Sequence, residues 1–131
     1  MNITATKPAK RISKFLRIID QPTRINILLI ISTGEACVCH LEAILGLRQA
    51  YISQHLMALR EADILITRRE GRYIFYRLRD KRLIGFIEMA GSLAGVDKNE
   101  MKRLRQKDIL VCECPSCEAE RDQDILLASH D

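Results

Sequence analysis

A mainly α-helical fold with one β-hairpin is predicted for this chain of 131 residues. Apolar residues recur at helical spacing in several separate segments. Two short predicted helices are joined by about three residues around Gly46, which is typical of a helix-turn-helix. Two β-rich runs flank the turn Glu70-Gly71-Arg72. Together these observations predict a winged helix-turn-helix in which the hairpin is the wing.

Two helices are predicted before the helix-turn-helix. The first has apolar residues at i, i+3, i+4 and i+7 with Lys and Arg between them, namely Ile12, Phe15, Leu16 and Ile19. Pro22 is suited to open the second helix. Because residues 24–31 are apolar around most of the helical circumference, we expect this helix to be buried at the centre of the fold.

The helix-turn-helix follows directly. Its first helix is predicted from about Cys39 to Leu45, and Gly46 can take the left-handed conformation that ends it. The second helix runs from Arg48 to Ala62, with Ile52, Leu56 and Leu59 facing the core.

The wing and a last helix complete the predicted fold. The hairpin strands are expected at residues 64–69 and 73–79, and the helix at residues 81–95. We therefore assign residues 1–97 to a domain for DNA binding and dimerisation, and residues 98–131 to a tail that contains cysteines.

Composition excludes several classes of protein. The chain is 47% apolar and 29% charged, and its longest apolar run, Ile27–Ile31, is too short to span a membrane. The N-terminal residues lack the apolar segment of a signal peptide, so a cytoplasmic protein without a membrane partner is expected. Five cysteines, an odd number, favour metal or redox chemistry over a disulfide framework in that compartment.

Charge is distributed unevenly along the chain. Residues 68–82 contain seven basic and two acidic side chains, whereas residues 108–131 contain seven acidic side chains and Arg121. A basic cluster attracts polyanions even when the whole protein carries a net charge of only +4. The wing is therefore predicted to contact nucleic acid.

The face predicted to read DNA follows from the burial predicted for the second helix of the helix-turn-helix. Helices enter the major groove with their N-terminal residues, and Gln54 has the amide that can pair with adenine. Arg48 and Ser53 suit phosphate contacts, and the wing arginines suit phosphates or a narrow minor groove. His55 lies towards the buried edge, where a structural hydrogen bond is expected. The predicted DNA-binding residues are Arg48, Gln49, Ala50, Tyr51, Ser53, Gln54, Arg68, Arg69 and Arg72.

Three strings of residues resemble one family. They are Cys37-Val38-Cys39-His40-Leu41, then Ile52-Ser53-Gln54-His55-Leu56 continuing to Leu59-Arg60-Glu61-Ala62, then Arg69-Glu70-Gly71-Arg72 continuing to Tyr76-Arg77-Leu78. The chain resembles the ArsR/SmtB family of metal-responsive winged-helix repressors over residues 12–95. The resemblance implies a homodimer that binds double-stranded operator DNA without metal and releases it with metal. It also implies that the CxC motif is a thiolate sensor of the type found in arsenic, cadmium and lead sensors.

The cysteine pair makes chemical sense in one conformation. Side chains at i and i+2 lie on the same side of an extended segment but on nearly opposite faces of a helix. We therefore expect an extended chain at Cys37 and a helix from about Cys39. Free N–H groups at a helix start also stabilise a thiolate.

Two thiolates alone make a weak metal site, since zinc and cadmium usually take four ligands and trivalent arsenic takes three sulfurs. The arsenic-type pattern has a third cysteine where this chain has Glu42, and the N-terminal cysteines of the cadmium and lead type are absent from residues 1–36. We infer that tail cysteines complete the site, within one protomer or across a dimer interface. The predicted ligands are Cys37, Cys39, Cys112, Cys114 and Cys117, and the predicted ion is cadmium, lead, zinc or trivalent arsenic.

Several alternatives remain open at the level of sequence. The tail cysteines could bind a separate zinc ion with His130 or a solvent ligand. Cys37 and Cys39 could also be only packed thiols at a helix start, with no metal bound. The cysteines could instead sense oxidants or reactive sulfur through a disulfide. A DNA-binding protein without a regulatory role is a further alternative.

No enzyme is predicted, because the sequence has no phosphate loop, paired-carboxylate signal or nucleophilic triad, and no small organic substrate is expected. A homodimer is predicted because the first and last helices offer more apolar surface than one small core needs. Its interface is predicted to include Phe15, Ile19, Phe86 and Ala90.

Overall fold

The computed structural model describes residues 3–105, with the backbone alone for residues 3–6, 104 and 105. The helices are α1 (Ile3–Ile19), α2 (Pro22–Ile31), α3 (Val38–Leu45), α4 (Gln49–Glu61), α5 (Arg82–Leu93) and α6 (Lys98–Arg105). The strands are β1 (Glu35–Cys37), β2 (Leu65–Glu70) and β3 (Tyr73–Leu78), which form an antiparallel sheet in the order β1-β3-β2. The predicted fold, mainly α with a β-hairpin wing, is confirmed.

Helix α2 is the centre of the core. Each residue of Ile27–Ile31 is at most 1% exposed. A helix that is apolar all round is stable only where other elements cover every side. Here α4, α5, α6, β1 and β3 surround it. Pro22 occupies its first turn, where the missing N–H costs no helical hydrogen bond.

The helix-turn-helix consists of α3 and α4. Gly46 ends α3 with φ +65° and donates its N–H to the carbonyl of Glu42 at 2.8 Å. Glycine adopts this left-handed conformation without the steric cost that a side chain brings. Helix α4 then buries Ile52, Leu56 and Leu59 completely, as the sequence predicts.

The wing is the β2–β3 hairpin, and Gly71 with φ +59° lies at its turn. Strand β1 is a third strand that the sequence analysis expected only as an extended segment. It is defined by pairing with β3, where Glu35 lies opposite Arg77 and Cys37 opposite Phe75. This pairing attaches the cysteine segment to the wing.

Helices α5 and α6 both pack against α2. Leu83, Ile84 and Ile87 of α5 are buried, and so is Met101 of α6. A Cβ atom at Gly91 would lie 2.9 Å from the sulfur of Met101, so glycine permits this close packing. The packed unit thus continues through α6, while the proposed boundary between residues 97 and 98 stays a prediction.

Within residues 3–105, the structure has no helix that is both long and apolar enough to cross a membrane.

Candidate DNA interface and thiol site

The N-terminal half of α4 carries an exposed polar surface. Gln49, Ala50, Tyr51 and Gln54 are exposed, and Ser53 is half-buried. Arg48 precedes the helix in an extended conformation and is also exposed. The predicted DNA-reading residues of this helix therefore share one accessible region, and their contacts with DNA stay a prediction.

The tip of the wing carries two exposed arginines, Arg69 and Arg72. The guanidinium of Arg72 donates to the hydroxyl of Tyr73 at 3.0 Å and lies 5.2 Å from the centroid of its ring. Stacking on the ring limits the conformations of the long side chain while leaving its charge in solvent. The tip of the wing therefore presents two arginine side chains to solvent, and the conformation of Arg72 is restricted by Tyr73.

Arg68 has a different environment from the other wing arginines. Its Nε donates to Glu35 at 3.2 Å, and its terminal nitrogens form ion pairs with Glu35 and Glu70. The guanidinium carbon lies 4.5 Å from the centroid of the Phe75 ring. These hydrogen bonds raise the pKa of Arg68, the one to Glu35 most strongly. Arg68 thus ties β2 to β1 across β3, and its DNA contact stays a prediction.

The cysteine pair has the conformation that its spacing predicts. Cys37 ends β1 in an extended conformation, with φ −91° and ψ 168°, and α3 begins at Val38. The sulfur atoms of Cys37 and Cys39 lie 2.6 Å apart. Cys37 is 2% exposed and packs against Phe75, whereas Cys39 is half-buried. The two thiols therefore point to the same side of the chain.

The thiols line a groove between the wing and α4, which is the recognition helix of the helix-turn-helix. This groove of about 420 Å³ is lined by residues of the cysteine segment with α3, of α4 and of the wing. They include Cys37, Cys39, Glu42, Gln49, Ser53 and Arg72. The thiol pair consequently lines the same groove as three of the predicted DNA-binding residues, Gln49, Ser53 and Arg72.

Two thiols suit a soft metal ion, which prefers sulfur ligands. Within residues 3–105, however, no cluster of three or more Cys, His, Asp or Glu side chains could hold an ion. Glu42 lines the groove but does not complete such a cluster. Cys112, Cys114 and Cys117 lie outside the described residues. The described residues therefore fit part of a thiolate site, and the complete ligand set stays a prediction.

Arg24 is a positioning residue that the sequence analysis missed. Its Nε donates to Nδ1 of His55 at 3.0 Å, and its Nη1 donates to the carbonyl of Ile18 at 2.7 Å. It thereby joins the end of α1 and the start of α2 to the recognition helix. No sequence pattern pairs two side chains that are 31 residues apart. The predicted structural hydrogen bond of His55 is confirmed.

His55 is neutral in this arrangement, because Nδ1 must be unprotonated to accept from Arg24. Burial and, to a lesser degree, the positive charge of Arg24 lower the pKa of His55 below its usual value of 6.5. The ring of Tyr51 packs edge-on against the imidazole, with the centroids 4.6 Å apart.

An exposed recognition helix beside a basic wing defines a DNA-binding regulator of the winged-helix class. Residues 21–67 match the family model described as bacterial regulatory protein, arsR family. The chain belongs to this ArsR family, whose members in the comparisons are transcriptional regulators and not enzymes.

Two relatives and one solved structure illustrate the similarity. The biofilm growth-associated repressor of Agrobacterium fabrum is 40% identical over 63% of this chain and 70% of that protein. The arsenic resistance transcriptional regulator ArsR1 of Pseudomonas putida is 55% identical, but over only 39% of this chain and 40% of that protein. Reduced HlyU from Vibrio cholerae has a TM-score of 0.62 at 29% identity, covering 69% of this chain and 95% of that chain.

The Arg24–His55 pair predicts a pH-dependent contribution to stability. Because the folded-state pKa of His55 is lowered, the unfolded chain binds this proton more readily, and the contribution is complete only above about pH 6.5. It is lost as the pH falls from there towards the folded-state pKa. We expect His55→Gln, which can still accept from Arg24, to show a smaller loss of unfolding free energy between about pH 7.5 and 5.5. Urea unfolding measures this difference, and parallel pH profiles for the two proteins would contradict it.

Proposed function

We propose that this protein is a repressor that binds operator DNA as a homodimer and releases it when a thiophilic ion binds cysteine thiolates. The groove that Cys37 and Cys39 share with Gln49, Ser53 and Arg72 carries the proposal. A ligand taken by the thiols must alter a surface that meets DNA. The similarity to an arsenic resistance regulator supports the same function.

In the proposed complex, α4 enters the major groove with its N-terminal half. Gln54 is exposed there and can pair with an adenine through both atoms of its amide. Arg48 and Ser53 flank it and suit phosphate contacts, which position the helix without reading sequence. Arg69 and Arg72 extend the contact from the wing to phosphates or the minor groove.

The proposed homodimer uses the exposed apolar faces of α1 and α5. Phe15 of α1 and Phe86 of α5 meet edge-on with their centroids 6.0 Å apart, yet they remain 36% and 43% exposed. Met89 and Leu93 continue this face and are 63% and 83% exposed. An apolar face of this extent on two adjacent helices suits a second copy of the chain. Ala90 lies on the exposed side of α5, whereas Ile19 is buried within one protomer.

The proposed ion is soft, of the cadmium, lead, zinc or trivalent arsenic class, because thiolates select such ions. Cys37 and Cys39 supply two ligands, and we assign the others to Cys112, Cys114 and Cys117. When bound, the ion would add positive charge and fix the orientation of the thiolates.

Ion binding at the thiols would affect DNA binding through two contacts within the protomer. Cys37 belongs to a strand paired with the wing, and Cys39 belongs to α3, which packs on the recognition helix. Two recognition helices of a dimer must lie about 34 Å apart to enter successive major grooves. A small rotation of each protomer would therefore weaken binding without unfolding. A typical coupling of about 1–3 kcal/mol corresponds to a 5- to 150-fold change in affinity.

Thiol redox or reactive-sulfur sensing is a second proposed function, since Cys39 is only half-buried and both thiols line the groove. The similar HlyU structure is described as that of the reduced protein. In this alternative, an oxidant takes two electrons as one of these cysteines forms a disulfide with a tail cysteine. Release of DNA on oxidation, together with no response to metal under anaerobic reducing conditions, would support redox sensing over metal sensing.

The base-reading role of Gln54 can be tested against the role of Arg72. We expect Gln54→Ala to cost about 1–3 kcal/mol of operator binding and to relax sequence preference. Arg72→Ala should instead weaken binding to all duplexes and lower the salt dependence. Fluorescence anisotropy with a duplex selected from a random library, and with a shuffled duplex, measures both effects. Equal losses on the two duplexes for Gln54→Ala would refute base reading.

The proposed dimer predicts that Phe86→Glu gives a monomer, because a charge would be buried in the interface. Met57→Glu is the matched control, since Met57 is 60% exposed on the recognition helix and away from this face. Sedimentation velocity at micromolar concentration measures the mass of each protein. A wild-type monomer, or a dimeric Phe86→Glu variant, would refute this interface.

The thiol site predicts distinct behaviour for two cysteine variants. Cys37→Ser with Cys39→Ser should retain operator affinity but fail to release DNA with cadmium or arsenite, since the sensing ligands are lost. Cys112→Ser with Cys114→Ser and Cys117→Ser should weaken ion binding and leave DNA affinity nearly intact. Anaerobic titration followed by the sulfur-to-metal absorption band, together with anisotropy, measures both properties. Unchanged ion affinity and stoichiometry in the tail variant would show that the tail does not complete the site.

A further inference from the structure

Helix α1 carries a second surface opposite its apolar face. Lys7, Lys10, Lys14 and Arg17 recur at i, i+3, i+7 and i+10, which places them on one stripe of the helix. All four are exposed. Residues 3–19 also include Arg11 and contain no acidic residue. The stripe is therefore a concentrated positive charge that no carboxylate of the same helix neutralises.

The stripe borders a groove rather than a flat surface. A depression of about 530 Å³ is lined by Lys10, Ser13, Lys14, Arg17, Ile18 and Arg24, which include four cations and a hydroxyl but no carboxylate. Guanidinium, ammonium and hydroxyl groups converging on one concave space are the donors that bind phosphate oxygens.

Arg24 connects this groove to the recognition helix. Its hydrogen bonds to His55 of α4 and to the carbonyl of Ile18 of α1 fix its guanidinium between α1 and α4. Helix α1 also contacts α4 directly. The basic groove is thus continuous with the element that enters DNA, and the surface of α4 nearest to it includes exposed Tyr51.

We infer that the α1 stripe is an additional DNA-backbone contact, which binds phosphates of the duplex beside the base pairs that α4 reads. The inference rests on the proposed docking of α4 and extends it to a third contact besides the recognition helix and the wing. Lys7 and Arg17 are ten residues apart, so the stripe is about 15 Å long. That length corresponds to the axial rise of roughly four base pairs. Its contacts carry no sequence information, so they raise affinity for every duplex.

The test compares two triple variants that remove the same charge from different helices. The first is Lys10→Gln with Lys14→Gln and Arg17→Gln on α1. The control is Lys98→Gln with Lys102→Gln and Arg103→Gln on α6, where these side chains are exposed and the helix packs against α2 and α5. Binding to a random-sequence 30-base-pair duplex (about three helical turns) is measured by anisotropy across a range of salt concentrations, without metal.

Each phosphate contact contributes about 0.9 to the slope of log affinity against log salt. The α1 variant should therefore lower the slope by about 2.7 for each protomer on the duplex, and the α6 variant should leave it close to the wild-type value. Lys14→Gln alone should lower it by about 0.9 for each protomer on the duplex, which provides the same test if the triple variant folds poorly. Equal slopes for the two triple variants, or an unchanged slope for Lys14→Gln, would overturn the inference. A wild-type protein that binds no duplex would instead refute the proposed function itself.

Discussion

Burial of α2 is the constraint on which the rest of the structure depends. Its run Ile27–Ile31 is apolar on every side, so neighbouring elements must exclude water from the whole circumference. Helices α4, α5 and α6 and the strands β1 and β3 do this together. Positions of the recognition helix, the wing and the cysteine segment are consequently set by contact with one helix. An element could move far only by exposing part of α2, so the proposed control of DNA binding would use small rotations and not local unfolding.

The second organising feature is the pairing of β1 with β3. Three residues are too few to form a stable strand alone, and β1 gains its order from hydrogen bonds to the wing. Arg68 reinforces the arrangement by crossing over Phe75 to Glu35. Cys37 is therefore held against the wing and directly precedes α3. The cysteine segment and the wing therefore form one packed unit.

Helix α1 has two faces, and we propose a different partner for each. Its apolar face, extended by Phe86 of α5, suits a second copy of the chain, whereas its basic stripe suits the DNA backbone. Arg24 ties the end of this helix to His55, so movement of α1 within a dimer would reach the recognition helix through a hydrogen bond. One amphipathic helix can thus connect assembly with DNA recognition, without a separate linker.

The sequence by itself determined the order of α1 to α5 and of the two wing strands, because helical periodicity, Gly46 and the Gly71 turn are local signals that tertiary contacts did not override. It also placed Ile52, Leu56 and Leu59 in the core, which leaves the polar face of α4 outside. Only the tertiary structure decided that β1 is a strand, that Arg68 is engaged by Glu35, and that Arg24 meets His55. These features join residues far apart in sequence, and their energies depend on distances that exist only once the chain has packed around α2.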